Sequence, residues 1–304
     1  MEKWSGRFAG FLLRSRWHAA ATLAVIFALA WLLPPLAGLF FTLLGAVIVL
    51  IVLQVGTRPS LEAAVLAAAA LALMTWSPAV SAAFMLAWLP AWIIGEVLRR
   101  SESLAAVSWA LLGLSLLVVS MAVYAVPGDA VNYWQGVLGD ALKQVGANGQ
   151  SAITQDMLRE LSGFFPGLLA CLALAGWVIS LFLGRYLQGV FLEQPQLVPG
   201  TGFRGWDLPL AFLVLLPLSM LLGWLASGNL AVLMQDLTLV LGFFFVFQGL
   251  AVVHAWVHVR QWPWQVLPAI YFMLILLAQT AILVSGLGIA DKVLNLRQRM
   301  QGGS

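Results

Sequence analysis

Apolar runs of bilayer length follow one another along this chain with almost no interruption. A hydrocarbon core about 30 Å thick is crossed by a helix of about 20 apolar residues. By that measure nine segments stand out, at 17–33, 36–55, 60–76, 79–98, 104–126, 163–184, 208–226, 230–258 and 264–290. The pattern predicts an all-α fold, a polytopic transmembrane bundle of about eight or nine membrane segments. Only 9% of the residues are charged, against about a quarter in soluble globular proteins. The chain reads as a single integral membrane domain, 1–304, with a five-helix half at 17–126, an outer loop at 127–162, further helices at 163–290 and a short tail at 291–304. The first run has a basic flank like a signal peptide. No small-residue cleavage site follows it, and the next run begins just past Pro34-Pro35, so a retained helix is expected.

Lys and Arg in short loops resist translocation, whereas acidic residues matter little. Lys3, Arg7, Arg14 and Arg16 therefore put the N-terminus in the cytoplasm. From that start Arg58, Arg99, Arg100, Arg185, Arg204 and Arg260 all fall on the cytoplasmic side over eight crossings. A full ninth crossing would carry Lys292, Arg297 and Arg299 outside, against the rule. Either one segment is re-entrant or split, or the tail is an exception; eight full crossings and a cytoplasmic tail fit better.

Several function classes are excluded by what is missing. Fifteen basic against twelve acidic residues, evenly spread, make no phosphate-backbone footprint, so nucleic acid is not expected as a partner. Cys171 is the lone cysteine and lies in an apolar run, which removes disulfides and thiolate clusters. There is no Gly-x-Ser-x-Gly elbow, no phosphate-binding loop, and no pair of membrane-embedded acids to share a proton. No enzyme activity, catalytic residue or cofactor is expected, and energy for any transport must come from a gradient or a partner subunit.

Trp31, Trp76 and Trp224 fall near expected outer ends, and Trp17, Trp92, Trp206, Trp256, Trp262 and Trp264 near inner ones. That is the belt expected of amphipathic rings among headgroups. Glu62 and Glu96 lie close to segment ends, where Arg58 and Arg99 or Arg100 are within reach as pairing partners. The outer loop has two helix-like stretches broken at Gly146 to Gly149 and suits either a lid over an outward-facing pocket or a hairpin lying at the interface. The inner connection, about Arg185 to Asp207, carries Pro195, Pro199, Gly200, Gly202 and Gly205 and is expected to be irregular.

Ionisable groups at membrane depth are costly, and the eighth segment has several. At about 100° per residue, Asp236, Val240, Phe243, Phe247, Ala251, His254 and His258 share one stripe. The stripe is expected to face the bundle interior, with a polar entrance at Asp236 and a proton-sensitive end at the two His. The plainer alternative leaves Asp236 among the outer headgroups, capping a helix together with Asn229. Gln248 and Gln279 are the other mid-membrane polar groups, suited to a ligand or to a neighbouring helix. His254 and His258 have metal-ligand spacing, but no third ligand accompanies them, so no metal site is expected. Ala20, Ala24 and Ala28 repeat every four positions on the first helix, and Ala64, Ala68 and Ala72 do so on the third. Such spacing permits close helix packing, within the chain or against a partner.

Three motifs carry a family resemblance. They are Phe203-Arg204-Gly205-Trp206-Asp207-Leu208-Pro209 entering a helix, Phe247-Gln248-Gly249-Leu250-Ala251 within the next, and Gly286-Leu287-Gly288-Ile289-Ala290-Asp291 with Arg297 downstream. Together they resemble the YybS-like bacterial membrane family, the domain of unknown function numbered 2232. That family is grouped with the substrate-specific (S) components of energy-coupling-factor transporters. The resemblance implies an S-component-like core that binds a vitamin or metal ion, and a separate coupling subunit and ATPase module as partner. It also implies docking through a small-residue repeat on the first helix, where Ala20, Ala24 and Ala28 stand. Apart from the resemblance, Asp207 and Arg204 beside Trp206 and Pro209 mark where the seventh helix leaves the interface, and Asp291 suits pairing with Arg297 or with an Arg of the inner loop.

Two functions follow as expectations. One is a small-molecule binding or transport protein whose pocket opens beneath the outer loop, with Asp236, Gln248, His254, His258 and Gln279 as its candidates. The other is a membrane scaffold or assembly factor acting through Ala20, Ala24, Ala28, Arg204 and Asp207. Beyond the lipid bilayer, the identity of ligand or partner is not legible.

Overall fold

The computed structural model describes residues 10–11, 14–144, 155–191, 202–263 and 265–301. Among them there are helices, turns and one short 3₁₀ segment at Pro34–Leu36, and no strand. Each of the nine apolar stretches is helical, but not all span alike. Among the described residues six helices are long and apolar enough to cross a bilayer, and a seventh span is reached only by counting a bent pair as one. The first and seventh stretches form helices of 17 and 15 residues, Arg16–Leu32 and Ala211–Leu225. They fall short of the 20 or so residues that a bilayer core asks for.

Contacts divide the chain into two compact units: Met1–Leu111 with Leu174–Trp206, and Leu112–Ala173 with Asp207–Ser304. Two of the three boundaries fall inside helices, each of which contributes residues to both units.

The first unit holds α1 (Arg16–Leu32), α2 (Ala37–Val55), α3 (Thr57–Thr75), α4 (Pro78–Ser101) and the start of α5 (Leu104–Tyr124). It also holds the second half of α7 (Gln155–Phe191). Helix α2 is its centre. Every residue from Leu44 to Val52 is buried, as expected of a helix hydrophobic on all sides. Close approach is set by glycine: a Cβ on Gly45 would press on Ser180, and one on Gly184 would meet the Ala46 carbonyl at 2.8 Å. Gly56 turns α2 into α3 at φ +85°, a conformation that costs glycine nothing. The anchors expected at the segment ends are formed. Glu62 takes Arg58 at 3.3 Å and Arg16 at 3.0 Å. Buried Glu96 accepts from Arg99, Arg100 and the Thr57 hydroxyl.

Two expectations are corrected. Helix α7 runs on to Phe191, so Arg185 lies within a helix rather than at the start of an irregular inner connection. Pro195, Pro199 and Gly200 of that connection, like Gly146 to Gly149 and Trp264, lie outside the described residues. Trp206 is not a belt residue: it is fully buried, packed on Phe182 at 5.8 Å between ring centroids. Its place in the sequence matched a helix entry, but the apolar face of α7 offers the ring more burial than headgroups do. Trp17, Trp31, Trp76, Trp224, Trp256 and Trp262 are exposed, in keeping with the belt.

The second unit holds the rest of α5, α6 (Ala130–Gln144), the first part of α7, α8 (Ala211–Leu225), α9 (Gly228–Val259), α10 (Val266–Leu276), α11 (Ala278–Leu294) and α12 (Leu296–Gln301). Its centre is α9, 32 residues or about 48 Å long. The ninth apolar stretch is split: α10 and α11 meet at 119°. Neither Pro nor Gly sits at the break. Leu277 is extended there (φ −127°, ψ 105°), and its N–H still donates to Met273 at 2.8 Å.

The consequence is a parallel pairing. The Ser285 hydroxyl donates to the Gly242 carbonyl and the Gln248 amide to Asp291, each pair 43 positions apart. A constant offset means that α11 runs in the same direction as α9. The C-terminal ends of both, with Arg260, Lys292, Arg297 and Arg299, therefore lie at one end of the unit.

Candidate functional site

At that end the three motif segments, far apart in sequence, converge on one polar cluster. Gln248 is fully buried. Its Oε1 accepts the Leu208 N–H at 3.1 Å, while its Nε2 donates to Asp291 at 2.7 Å and to Asp207 at 3.3 Å. Asp291 also accepts from the Arg297 guanidinium at 2.9 Å and the Arg297 N–H at 3.1 Å. Asp207 pairs with Lys292 at 2.8 Å and with Arg297 at 3.1 Å. Asn295, left-handed at φ 51°, ends α11 and turns the chain so that Arg297 points back at Asp291. Two acids meet two bases, and the bridging amide is saturated. The apolar parts of the motifs explain how the helices come close enough. A Cβ on Gly249 would fall on the Val284 carbonyl oxygen, and one on Gly288 on that of Phe245.

Gln248 is thus committed to neighbouring helices, the reading set beside the ligand role at the outset. Of the two partners open to Asp291, it is Arg297 that pairs with it. Asp207, expected at a helix entry, is an ion-pair partner of the α11 end.

Asp236 is the opposite case. It lies more than two turns inside α9, fully buried, and no side chain donates to either carboxyl oxygen; the polar group that faces it is the backbone N–H of Gly167 on α7. It is no headgroup cap; Asn229 instead accepts the first N–H of α6, from Ala130, at 3.3 Å. The space for the carboxyl is made by Gly167 on α7, where a Cβ would come within 2.6 Å of Oδ1. Pro166, just before it, supplies no N–H to the helix. Adjacent to this point is a cleft of about 450 Å³ lined by Asp156, Arg159, Glu160, Gly163 and Gln235, with Val131 of α6 at its edge. Gly163 is one turn from Gly167 on the same face of α7, and Gln235 is next to Asp236 in the chain. Helix α6 is the first of the two stretches read in the outer loop, tied down by Trp134 donating to the Ala122 carbonyl at 2.8 Å.

The stripe containing Asp236 is buried as far as Ala251 apart from half-buried Phe243, then half-buried at His254 and exposed at His258. His254 meets the Tyr271 hydroxyl at 2.9 Å. Gln279 is exposed just past the break at Leu277, far in sequence from any polar cluster. No group of three or more metal-ligating side chains occurs among the described residues. In the first unit, Ala20 and Ala24 are buried and Ala28 is half-buried, with α1 packed on α2 and α3. Arg204 is half-buried.

A family model described as predicted membrane protein (DUF2232) matches residues 21–292. The chain belongs to this family. No curated protein and no solved structure matches it. The matched span of the DUF2232 model takes in Asp236, Gln248, Asp291 and all three motif segments, and ends just before Arg297. The resemblance read from those motifs is the family found. What Gly249, Gly288, Gln248 and Asp291 share is a structural task, holding α9 and α11 parallel.

Proposed function

We propose that this membrane protein binds, and carries, a small molecule in its second unit, with Asp236 as the acceptor for a donor or cationic group on the ligand. One observation carries the reading: the carboxyl of Asp236 is fully buried with no side-chain donor on either oxygen and only the Gly167 backbone N–H facing it. Burying an acid with no side chain to compensate it is costly, and at membrane depth such groups line substrate or ion pathways. The cleft beside it, edged by α6, offers the approach, and Arg159 with Asp156 and Glu160 gives that approach both signs of charge.

The chain's lack of a phosphate-binding loop leaves a gradient or a separate ATPase module to supply energy. A relation to the S components of energy-coupling-factor transporters belongs to this proposal. Orientation belongs to it too. Arg260, Lys292, Arg297 and Arg299 gathered at one end support a cytoplasmic tail by the excess of positive charge there. The split ninth stretch then takes the place of a full crossing.

The test is a thermal-shift screen of the detergent-purified protein against vitamins, their precursors, metal ions and isoprenoid or nucleotide metabolites, since a ligand binding only the folded state raises stability by mass action. Asp236→Asn is expected to fold with unchanged or raised stability, because a neutral amide is cheaper to bury, and to lose the ligand-dependent shift. A shift that survives Asp236→Asn overturns the assignment. No shift from any compound, together with a partner cross-linked through Arg204, favours the scaffold reading instead.

A further inference from the structure

The end of the second unit that carries the motif cluster also carries an open groove of about 650 Å³ between α9, α11 and α12. Its walls are apolar, with Val252, Leu287 and Met300 among them, and Trp256, Arg260 and Arg299 stand at it as well. Trp256 stacks on Trp262 at 5.5 Å between centroids, both rings exposed. A pair of Trp rings beside an Arg at the end of an apolar helix marks the depth of the headgroups.

Charge decides the occupant. The acids of this region, Asp207 and Asp291, are already taken by Lys292 and Arg297. No acid pairs with Arg260 or Arg299 among the described residues. Two guanidinium groups therefore stand over an apolar groove with charge to spare, and guanidinium matches a phosphate diester through two parallel N–H bonds.

We propose that this groove holds one anionic phospholipid, its phosphate on Arg260 and Arg299 and an acyl chain along Val252, Leu287 and Met300. A free phosphate would satisfy the two arginines but leave the apolar walls wet. A neutral lipid would cover the walls but leave both charges uncompensated. The groove is separate from the cleft beside Asp236, so its occupancy does not depend on the ligand proposed there.

Native mass spectrometry of the full chain, released from nanodiscs of mixed phosphatidylglycerol and phosphatidylcholine, tests this. One phosphatidylglycerol is expected to stay bound per protein, with strong preference over phosphatidylcholine. Arg260→Gln with Arg299→Gln is expected to weaken that preference roughly thirtyfold, two basic residues' share of attraction to an anionic lipid. Leu287→Trp keeps both charges but fills the groove, and is expected to remove the retained lipid while leaving the size-exclusion profile unchanged. A preference unaffected by both variants, or equal retention of the two lipids by the parent chain, overturns the proposal. So does stabilisation of the protein by inorganic phosphate that matches stabilisation by dioctanoyl-phosphatidylglycerol, which would make the site one for a soluble anion.

Discussion

Alanine at Gly249 or at Gly288 is expected to disrupt the second unit rather than trim its stability. At each, the new methyl falls on a backbone carbonyl oxygen of the facing helix, Val284 for one and Phe245 for the other. A flexible side chain can swing aside; a helical carbonyl cannot without moving its helix. Overpacking a close contact costs about 1–3 kcal/mol, and backbone against backbone belongs at the upper end. Gly242 and Gly286 lie on the same two helices, and a Cβ at either would meet nothing within 4 Å. Gly242→Ala and Gly286→Ala are expected to be neutral or slightly stabilising, since Ala is the better helix former. Thermal unfolding of the four variants in one detergent checks this. Equal behaviour of the two pairs would remove the glycine contact as the determinant of α9–α11 packing.

Removing the cation from Asp291 is expected to have the second large effect. Asp291 is 3% exposed, and Arg297 supplies two of its bonds. Arg297→Met leaves a buried carboxylate with the Gln248 amide and the backbone N–H of residue 297. Removing one partner of a buried pair costs about 3–5 kcal/mol. Replacing both, as Asp291→Asn with Arg297→Met, is expected to restore most of that, because the uncompensated charge goes with its partner. Lys292→Met should matter much less. Its carboxylate, on Asp207, has a side chain 60% exposed to solvent, which screens the loss. A double-mutant cycle followed by denaturant unfolding in micelles gives the coupling. Additive single effects would mean that the pair is incidental to stability.

Both predictions concern residues that stood in the sequence as motif letters. The run of apolar segments named every helix that has a bilayer's worth of length. The positions of Arg58, Glu62, Glu96, Arg99 and Arg100 named their own pairs, because those partners lie within one or two turns. Asp236 was legible as an oddity for the same local reason: an acid inside an apolar run has no neighbour in sequence to explain it. What periodicity could not weigh was whether a polar residue is satisfied. Gln248 and Asp236 looked alike as buried polar candidates, and they differ only in what the facing helix brings. For Gln248 that is Asp291, 43 positions away. For Asp236 it is Gly167, which brings space and no donor side chain.

The ninth stretch teaches the same lesson from the other side. Its composition is that of a span, and nothing in Leu276-Leu277-Ala278 announces a break. Only the charge count, with Lys292, Arg297 and Arg299 on the wrong side of a full crossing, hinted at one.

Sequence alone determined that the chain is helical and made for a membrane, because a bilayer imposes its length and polarity on each segment independently of the others. It also determined where charge is anchored, since those contacts are local. The tertiary structure decided which apolar segments are whole spans, that α11 lies parallel to α9, that Trp206 is core, and that Asp236 is left without a side-chain partner. Those outcomes depend on which surfaces meet, and glycines that admit a facing backbone at van der Waals distance set that at Gly249 and Gly288.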